Sequence, residues 1–362
     1  MLIIDSHQDL AWNMLTFGRD YTRSAKETRR LEAGSQTPTH NGDSLVGWPD
    51  YQEGQVAIVF ATLFAAPIRH KLGDWETIAY TNSDQAHTLY SAQLDAYHRL
   101  TDEHPDKFRL VQTLQDLDDI LAHWDQQENE NHPVGLVILM EGAEGVRRVP
   151  ELEEWWARGV RLIGPAWAGT RFCGGTREPG PLTPEGFALL EGMNEFGFTL
   201  DLTHMDEQSV LQALDVFPGS MVATHCNPLA LLKNSESNRF LSDRVLRGLI
   251  ERDGIVGIPP YNKFLRWEWD SSDGREAISL DLVVDHIDYI CQIAGDARHV
   301  GIGTDFDGGF GLQSVPAEID TISDLQKLVP LLAERGYTEN NITAIMGANW
   351  LRLLRSTLPA SI

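Results

Sequence analysis

The segment His299-Val-Gly-Ile-Gly-Thr-Asp-Phe-Asp-Gly308 joins a short apolar run to a group of polar side chains. Its first part, His299–Gly303, is nearly all apolar and does not alternate with polar residues, which is typical of a parallel strand buried on both faces. Asp305 and Asp307 follow directly after this run. The segment therefore predicts a buried parallel strand that delivers carboxylates to one edge of a sheet.

Seven further runs of this kind recur along the chain, separated by loops or by stretches with helical periodicity. The predicted strands are Leu2–Asp5, Val56–Phe64, Gly135–Met140, Val160–Gly164, Phe198–Leu202, Ser220–Ala223, Gly254–Ile258 and His299–Gly303. The main predicted helices are Ser83–Thr101, Thr183–Phe196, Asp206–Phe217, Ser242–Arg252, Ser279–Ala294, Ser323–Arg335 and Thr338–Leu354. This alternation predicts an α/β protein with a (β/α)8 TIM-type barrel, and an open doubly wound sheet is the alternative.

The domain organisation follows from the length of the connections. A chain of 362 residues fits one barrel domain over residues 1–362, because α/β barrels of this size fold as one unit. Two connections are long, Ala11–Gln55 after strand 1, which includes the helix-like Ser24–Glu32, and Pro259–Ile278 after strand 7. Both should lie on the face where such barrels keep their active sites. The polar run Gln126–His132 precedes a strand and is predicted to be a solvated turn on the opposite face.

Composition excludes several classes of function. With 29 basic and 53 acidic residues the formal net charge is −24, so we expect no nucleic-acid partner and no docking on anionic membranes. The three cysteines are far apart and form no CxxC motif, which favours a reducing compartment. No signal peptide and no membrane-spanning run is visible, and a cytoplasmic location is the default expectation.

Residues that can bind metals follow the predicted strands. His7 and Asp9 follow strand 1, Glu141 follows strand 3, His204 follows strand 5 and His225 follows strand 6. These strand ends meet at the mouth of a barrel, where unpaired carboxylates and imidazoles would be costly and a metal would compensate them. Nitrogen and oxygen ligands without thiolate suit one or two Zn²⁺ ions, with Mn²⁺ or Fe²⁺ as substitutes. If Glu141 bridges, each of two metals has three protein ligands and room for a shared water.

An ordered set of short motifs extends over nearly the whole chain. The motifs are Asp5-x-His7-x-Asp9-Leu10, Glu141-Gly142, Gly159-Val160-Arg161, Gly197-Phe-Thr-Leu-Asp201-Leu-Thr-His204, Thr224-His225, Arg239 four residues before Asp243, Asp285-His286-Ile287-Asp288, Gly301-Ile-Gly-Thr-Asp305-Phe-Asp307-Gly308 and Gly347-Ala348-Asn349-x-Leu351-Arg352. In this order they resemble the membrane (renal) dipeptidases, peptidase family M19, within the amidohydrolase-like metal barrels.

The resemblance implies roles for the residues at the barrel mouth. His7 and Asp9 would bind one zinc ion, His204 and His225 the other, and Glu141 would bridge the two. A hydroxide shared by the metals would attack an amide carbonyl. Asp305 would move the proton towards the leaving amine, while Asp307 is interpreted as a turn residue beside Gly308.

Substrate-binding residues also come from the resemblance. Arg239 matches the arginine that holds the substrate carboxylate; from the residues alone, a structural salt bridge is the alternative. Tyr261 stands where the family has a substrate-contacting tyrosine, although Pro259-Pro260 beside it departs from the common pattern.

One position departs from the family more clearly. Trp167 replaces the histidine that polarises the scissile carbonyl. An indole donates one hydrogen bond and cannot titrate. Trp167 could donate in its place or fill part of the pocket, and Arg171 could supply a donor or be structural. The other histidines, including His40 and His70, are interpreted as surface or helix-packing residues.

The sequence therefore predicts a zinc-dependent hydrolase that cleaves dipeptides, with two zinc ions per chain. A related amidohydrolase acting on N-acyl amino acids, lactams or lactones is the alternative that Trp167 favours. A non-catalytic barrel that binds metal or metabolites is a second alternative. The expected partner is a small-molecule amide, and a homodimer is an expectation from the family alone.

Overall fold

Eight parallel strands form the centre of the structure, a computed structural model that describes residues 1–126 and 131–361. Residues 127–130 of the predicted turn Gln126–His132 lie outside the described residues. The strands are β1 Ile3–Gln8, β2 Val56–Phe64, β3 Val134–Glu141, β4 Val160–Gly164, β5 Thr199–Asp201, β6 Met221–Val222, β7 Val256–Ile258 and β8 Val300–Ile302.

The strands follow the order β6-β5-β4-β3-β2-β1-β8-β7, with every pairing parallel. The two ends of this order meet through a parallel bridge between Ala223 and Val256. Here the Ala223 amide donates to the Ile255 carbonyl at 2.9 Å, and the Gly257 amide donates to the Ala223 carbonyl at 2.8 Å. The sheet is therefore closed, which confirms the predicted TIM-type barrel and excludes the open doubly wound alternative.

Helices surround the barrel and fill its long connections. They are α1 Leu10–Phe17, α2 Ala25–Glu32, α3 Thr37–Asn41, α4 Trp48–Gly54, α5 Ser83–Glu103, α6 Leu114–Trp124, α7 Leu152–Ala157, α8 Pro184–Phe196, α9 Glu207–Val216, α10 Asp243–Glu251, α11 Asn262–Leu265, α12 Leu280–Ala294, α13 Leu328–Glu334, α14 Glu339–Thr343 and α15 Asn349–Thr357. Among the described residues, no helix has the length and apolar character needed to span a membrane.

Some predicted boundaries are wrong. The predicted helix Thr338–Leu354 is divided into α14 and α15 by the π-helical turn Ala344–Ala348. Gly347 in this turn packs against β1 so closely that an added Cβ would lie 3.1 Å from the Leu2 carbonyl oxygen. The predicted helix Ser323–Arg335 begins as a 3₁₀ segment, Ile322–Lys327, before α13.

Three minor strand pairings were not predicted. The short strand Phe108–Leu110 pairs with β3 on the outside of the barrel path. Two small two-stranded sheets lie in the connections after β2 and β4: Ala66–Pro67 with Ala79–Tyr80, and Cys173–Gly175 with Glu178–Leu182. The second of these is a hairpin, and it reaches the mouth of the barrel.

The long connection after β1, which contains α1 to α4, is fastened to the end of β8 by Asp307. This fully buried carboxylate lies 2.9 Å from the Arg19 guanidinium. It also accepts hydrogen bonds from the Leu45 amide and the Ser44 hydroxyl, both at 2.8 Å, and from the Tyr21 hydroxyl at 3.2 Å. Asp307 was interpreted from the sequence as a turn residue, but its side chain organises the connection that covers one side of the barrel mouth.

Removing the Asp307 carboxylate should strongly destabilise the protein, because it takes away one of the two carboxylates that pair with the buried Arg19 charge. Arg19 keeps its second carboxylate partner, Glu32, but the Leu45 amide and the Ser44 and Tyr21 hydroxyls also lose their acceptor. We expect Asp307→Ala to lower the apparent free energy of unfolding by about 3 kcal/mol. The matched control is Asp118→Ala, which removes an exposed ion pair with Arg355 and should cost less than about 1 kcal/mol. Urea unfolding followed by circular dichroism measures both variants. Equal losses for the two would show that Asp307 does not anchor the connection.

Candidate metal centre

The first two predicted ligands are placed by the end of β1. His7 lies within the strand and is fully buried, while Asp9 directly precedes α1. Residues two apart in an extended segment point to the same side. The Nε2 atom of His7 lies 3.9 Å from Oδ2 of Asp9 inside the barrel mouth. The Thr62 hydroxyl on β2 donates a hydrogen bond to Oδ1 of Asp9, which holds this carboxylate in place.

Glu141, the last residue of β3, lies at the centre of the cluster. Its Oε1 atom is 3.0 Å from Nε2 of His204, 3.5 Å from Nε2 of His225 and 3.8 Å from Nε2 of His7. The Nε2 atoms of His204 and His225 are themselves 3.1 Å apart. Two groups of residues with the spacing of metal ligands thus share one carboxylate: His7 with Asp9 and Glu141, and His204 with His225 and Glu141.

Asp305 completes the rim after β8. Its Oδ1 atom lies 3.9 Å from Nε2 of His7, and its backbone amide donates to the His7 carbonyl at 3.1 Å. The backbone of Asp305 is left-handed, with φ of 56°. A Cβ at Gly308 would lie 2.0 Å from Oδ1 of Asp305, so only glycine leaves space for this carboxylate.

Threonine hydroxyls fix the orientation of the three imidazoles. Thr224 Oγ1 lies 3.3 Å from Nδ1 of His7 and 3.2 Å from Nδ1 of His225, and it donates its own proton to Asp201 at 2.6 Å. Thr176 Oγ1 lies 2.9 Å from Nδ1 of His204. Because the Thr224 proton is used by Asp201, both imidazoles can donate from Nδ1 to Thr224. This tautomer leaves the Nε2 lone pairs free for a metal.

The buried carboxylates of this cluster cannot all be ionised without a compensating cation. Burial, together with the neighbouring Asp9 and Asp305, raises the pKa of Glu141 well above its usual range. Burial and Asp9 likewise raise the pKa of Asp305. Burial raises the pKa of Asp9 to about 6, although the hydrogen bond from Thr62 opposes this shift.

The histidines of the cluster also indicate a metal site. Burial and the positive charge of Arg239 lower the pKa values of His7 and His204 well below the usual range. Burial, His7 and Arg239 lower the pKa of His225. Among the described residues, no hydrogen-bond partner satisfies the buried Nε2 atom of His7. Neutral imidazoles with an unpaired nitrogen, surrounded by carboxylates and no thiolate, are the donor set that a divalent metal such as Zn²⁺ accepts.

A cavity of about 320 Å³ opens above these ligands and contains the predicted substrate-binding residues. Arg239, on the connection after β6, is buried and donates from Nη2 to the His225 carbonyl at 2.8 Å. Its Nε atom has no hydrogen-bond partner, and its guanidinium lies 5.1 Å from the ring of Phe264. Within the described residues no carboxylate forms an ion pair with Arg239, so the structure does not show the salt bridge considered from the sequence.

Tyr261 and Trp167 both contribute to the wall of this cavity. Tyr261 directly precedes α11 and stacks on Phe310, with ring centroids 4.3 Å apart. Trp167 follows β4, and its ring lies 6.1 Å from that of His204 and 5.2 Å from that of Phe64. Both predicted residues thus line the same cavity as the metal-binding cluster.

Arg171 is placed elsewhere. Its guanidinium forms ion pairs with Glu144 at 2.9 Å and Glu185 at 3.0 Å. It is not among the residues that line the cavity, and so it occupies the structural position considered from the sequence rather than that of a donor to the substrate.

Several residues of the site were not predicted. Thr176 and Arg177 lie at the tip of the hairpin after β4, and both line the cavity. His40, interpreted as a surface or helix-packing residue, also lines the cavity and stacks on Trp75 with centroids 4.6 Å apart. The hairpin turn and helix α3 that carry these residues belong to connections whose course depends on distant contacts. The only sequence signal was that these connections are long or follow barrel strands.

Comparison with known proteins gives the same overall picture. The sequence model of the membrane dipeptidase family, peptidase family M19, matches residues 1–360. An uncharacterized protein in the pqqA 5′ region of Klebsiella pneumoniae is 33% identical over 239 residues, which are 63% of this chain and 83% of that protein. Dipeptidase aclJ of Aspergillus oryzae is 27% identical over 271 residues, which cover 72% of this chain but only 59% of the Aspergillus protein.

A solved structure extends the comparison to the fold. The metallopeptidase of Rhodobacter sphaeroides, liganded with a phosphinate mimic of the dipeptide L-Ala-D-Ala, superposes with a TM-score of 0.78 at 24% identity and covers 99% of both chains. Its similarity supports the barrel architecture along the full chain. Because the family match extends over nearly every residue, the chain belongs to the membrane dipeptidase family, peptidase family M19, and is a metallodipeptidase.

Proposed function

We propose that this protein hydrolyses dipeptides that carry a free C-terminal carboxylate, with two zinc ions held at the mouth of the barrel. The observation that carries the proposal is the position of Glu141, whose Oε1 atom lies within 4 Å of the Nε2 atoms of all three histidines. One carboxylate can thus serve both halves of the cluster. The Rhodobacter neighbour, with its bound phosphinate dipeptide mimic, is consistent with a substrate of this class.

The ligand set divides into two groups in this proposal. His7 and Asp9 would hold one ion, His204 and His225 would hold the other, and Glu141 would contribute to both. Each ion would then have three protein ligands, which is the arrangement that catalytic zinc sites use when they leave a position open for water or substrate. When bound, the ions supply a water-derived nucleophile at neutral pH and polarise the scissile carbonyl.

Asp305 is the proposed proton carrier. Its carboxylate faces the cluster beside His7 and is partly accessible from the cavity. A carboxylate here can accept a proton from the attacking water and then donate it to the departing amine nitrogen. Gly308 leaves the space that this side chain needs.

Arg239 is the proposed site for the substrate carboxylate. A guanidinium without an acidic partner, buried beside the metal ligands, is a strong site for a carboxylate, because charge-assisted bidentate hydrogen bonds fix its position. Tyr261 and Trp167 would shape the walls around the substrate. Membership of the dipeptidase family disfavours both the related amidohydrolase and the non-catalytic barrel.

We expect purified protein reconstituted with Zn²⁺ to contain close to two zinc ions per chain, measured by elemental analysis. Glu141→Gln should lower the occupancy of both sites together, because one carboxylate serves both. The matched control is Glu27→Gln on the exposed surface of α2, which should keep the full zinc content. Only trace zinc after reconstitution would contradict the binuclear centre.

Arg239→Ala should reduce kcat/KM for dipeptides with a free carboxylate by about 30-fold or more, because it removes one partner of a buried charge pair. Amidation of the substrate's C-terminus should lower the kcat/KM of the wild type much more than that of the variant. Steady-state kinetics of both enzymes on free and amidated Ala-Ala measures this difference. If the wild type hydrolyses both substrates equally, Arg239 does not bind the carboxylate.

Trp167→His should raise kcat on small dipeptides by about 10-fold or more, if the missing carbonyl donor limits the rate. The indole lies beside His204, so an imidazole at this position faces the same metal centre. Trp167→Phe is the control, because it reduces the ring without adding a donor, and it should not raise kcat. A lower kcat for Trp167→His on the best substrate would instead show that the indole serves specificity.

A further inference from the structure

Arg177 occupies a fixed position at the edge of the cavity. It lies with Thr176 in the turn between the strands Cys173–Gly175 and Glu178–Leu182. Thr176 contacts the ring of His204, as described above, and the backbone amide of Arg177 donates to Oδ1 of Asn238 at 3.0 Å. Asn238 directly precedes Arg239. The hairpin tip is therefore attached both to the metal centre and to the segment that carries Arg239.

The guanidinium of Arg177 has no acidic partner within the described part of the chain. It lines the cavity, and its nearest aromatic neighbour is Trp167, whose ring centroid is 6.0 Å from the guanidinium carbon. Arg69 next to the same hairpin behaves differently, since it is paired with Glu178 at 2.6 Å. In a protein with a net charge of −24, a cationic side chain left unpaired at the exposed rim of a cavity is available for an anionic ligand.

The backbone conformation at Arg177 is unusual for a residue with a long side chain. Its φ angle is 68°, in the left-handed region that a turn normally assigns to glycine or asparagine. A long side chain adopts this conformation at an energetic cost. The turn therefore presents a guanidinium to the cavity where a residue without a long side chain would fit the backbone better.

The two arginines that line the cavity come from connections that touch each other. Arg177 follows β4 and Arg239 follows β6, and the hydrogen bond from the Arg177 amide to Asn238 joins the two connections next to Arg239. The lining also contains aromatic residues, including Trp12, Phe64, Trp75 and Phe310. A dipeptide that places its scissile carbonyl at the metals and its C-terminal carboxylate on Arg239 has its C-terminal residue beside the connections that carry these two arginines.

We propose that Arg177 binds a second carboxylate, carried by the side chain of the substrate's C-terminal residue. The preferred substrates are then dipeptides that end in aspartate or glutamate. This inference rests on the proposed function, because it takes the position of the substrate from the metal centre and Arg239. An ion pair at this solvent-exposed position corresponds to a preference of about 5-fold for an acidic over an amide side chain.

The test compares kcat/KM for Ala-Glu and Ala-Gln, which differ only in the charge and hydrogen-bonding groups of one side chain, with the C-terminal residue in its L and D forms. The wild-type ratio should be about 5 in favour of the acidic substrate. Arg177→Gln should bring the ratio close to one, and Arg177→Glu should reverse it and favour Ala-Lys. The matched control, Arg30→Gln, removes the same charge from the exposed surface of α2 and should keep the wild-type ratio.

A second measurement separates this inference from the proposed function. Isothermal titration of the zinc-loaded protein with free glutamate and glutamine, the corresponding products, needs no turnover. Tighter binding of glutamate that disappears in Arg177→Gln supports the inference. If no dipeptide is hydrolysed, the proposed function fails, and the titration still decides whether Arg177 binds the second carboxylate. Equal kcat/KM values for Ala-Glu and Ala-Gln in the wild type would overturn the inference alone.

Discussion

Three carboxylates and three imidazoles are packed together in the buried mouth of the barrel, and a bound cation allows all three carboxylates to stay ionised. Glu141 contacts all three histidines, while Asp9 and Asp305 flank His7. Such a cluster would be strongly unfavourable in an ordinary protein interior. The surrounding structure brings these groups together from separate strands and leaves their metal-facing atoms free.

Supporting residues show how this is achieved. The Thr224 hydroxyl contacts the histidines of both proposed zinc sites and is itself bound by Asp201. A change at Thr224 would therefore affect both sites together. Asp307 binds the connection after β1 to the end of β8. This connection covers one side of the barrel mouth. Hydrogen bonds behind metal ligands in this way fix both tautomer and direction.

The sequence predicts the barrel and the ligand cluster well, because both depend on local features. Buried parallel strands appear as short apolar runs, and the polar residues after them must meet at one face of a barrel. Thus the sequence alone predicts that His7, Glu141 and His225 lie close together. The roles of Arg239, Asp305, Tyr261 and Trp167 follow from the family resemblance.

Other features depend on contacts between distant parts of the chain. The stacking of His40 on Trp75 joins two different connections, and no local pattern predicts it. The contact of Thr176 with His204 requires the hairpin after β4, whose strands are too short for a clear period-two pattern. The interruption of the helix near Gly347 likewise comes from packing against β1 rather than from the helical pattern itself.

The closure of the barrel between β6 and β7 has a further consequence. This seam contains one bridged residue pair beside the two-residue strand β6, whereas β2 and β3 pair over seven residues. The seam is therefore a place where the barrel can open at low cost. His225 lies just beyond β6, and ions bound to it and to His7 would brace the barrel across its interior, past the weak seam. We therefore expect that one local opening of the barrel controls both metal release and amide hydrogen exchange in β6. A chelator would then remove the metal at the rate of this opening.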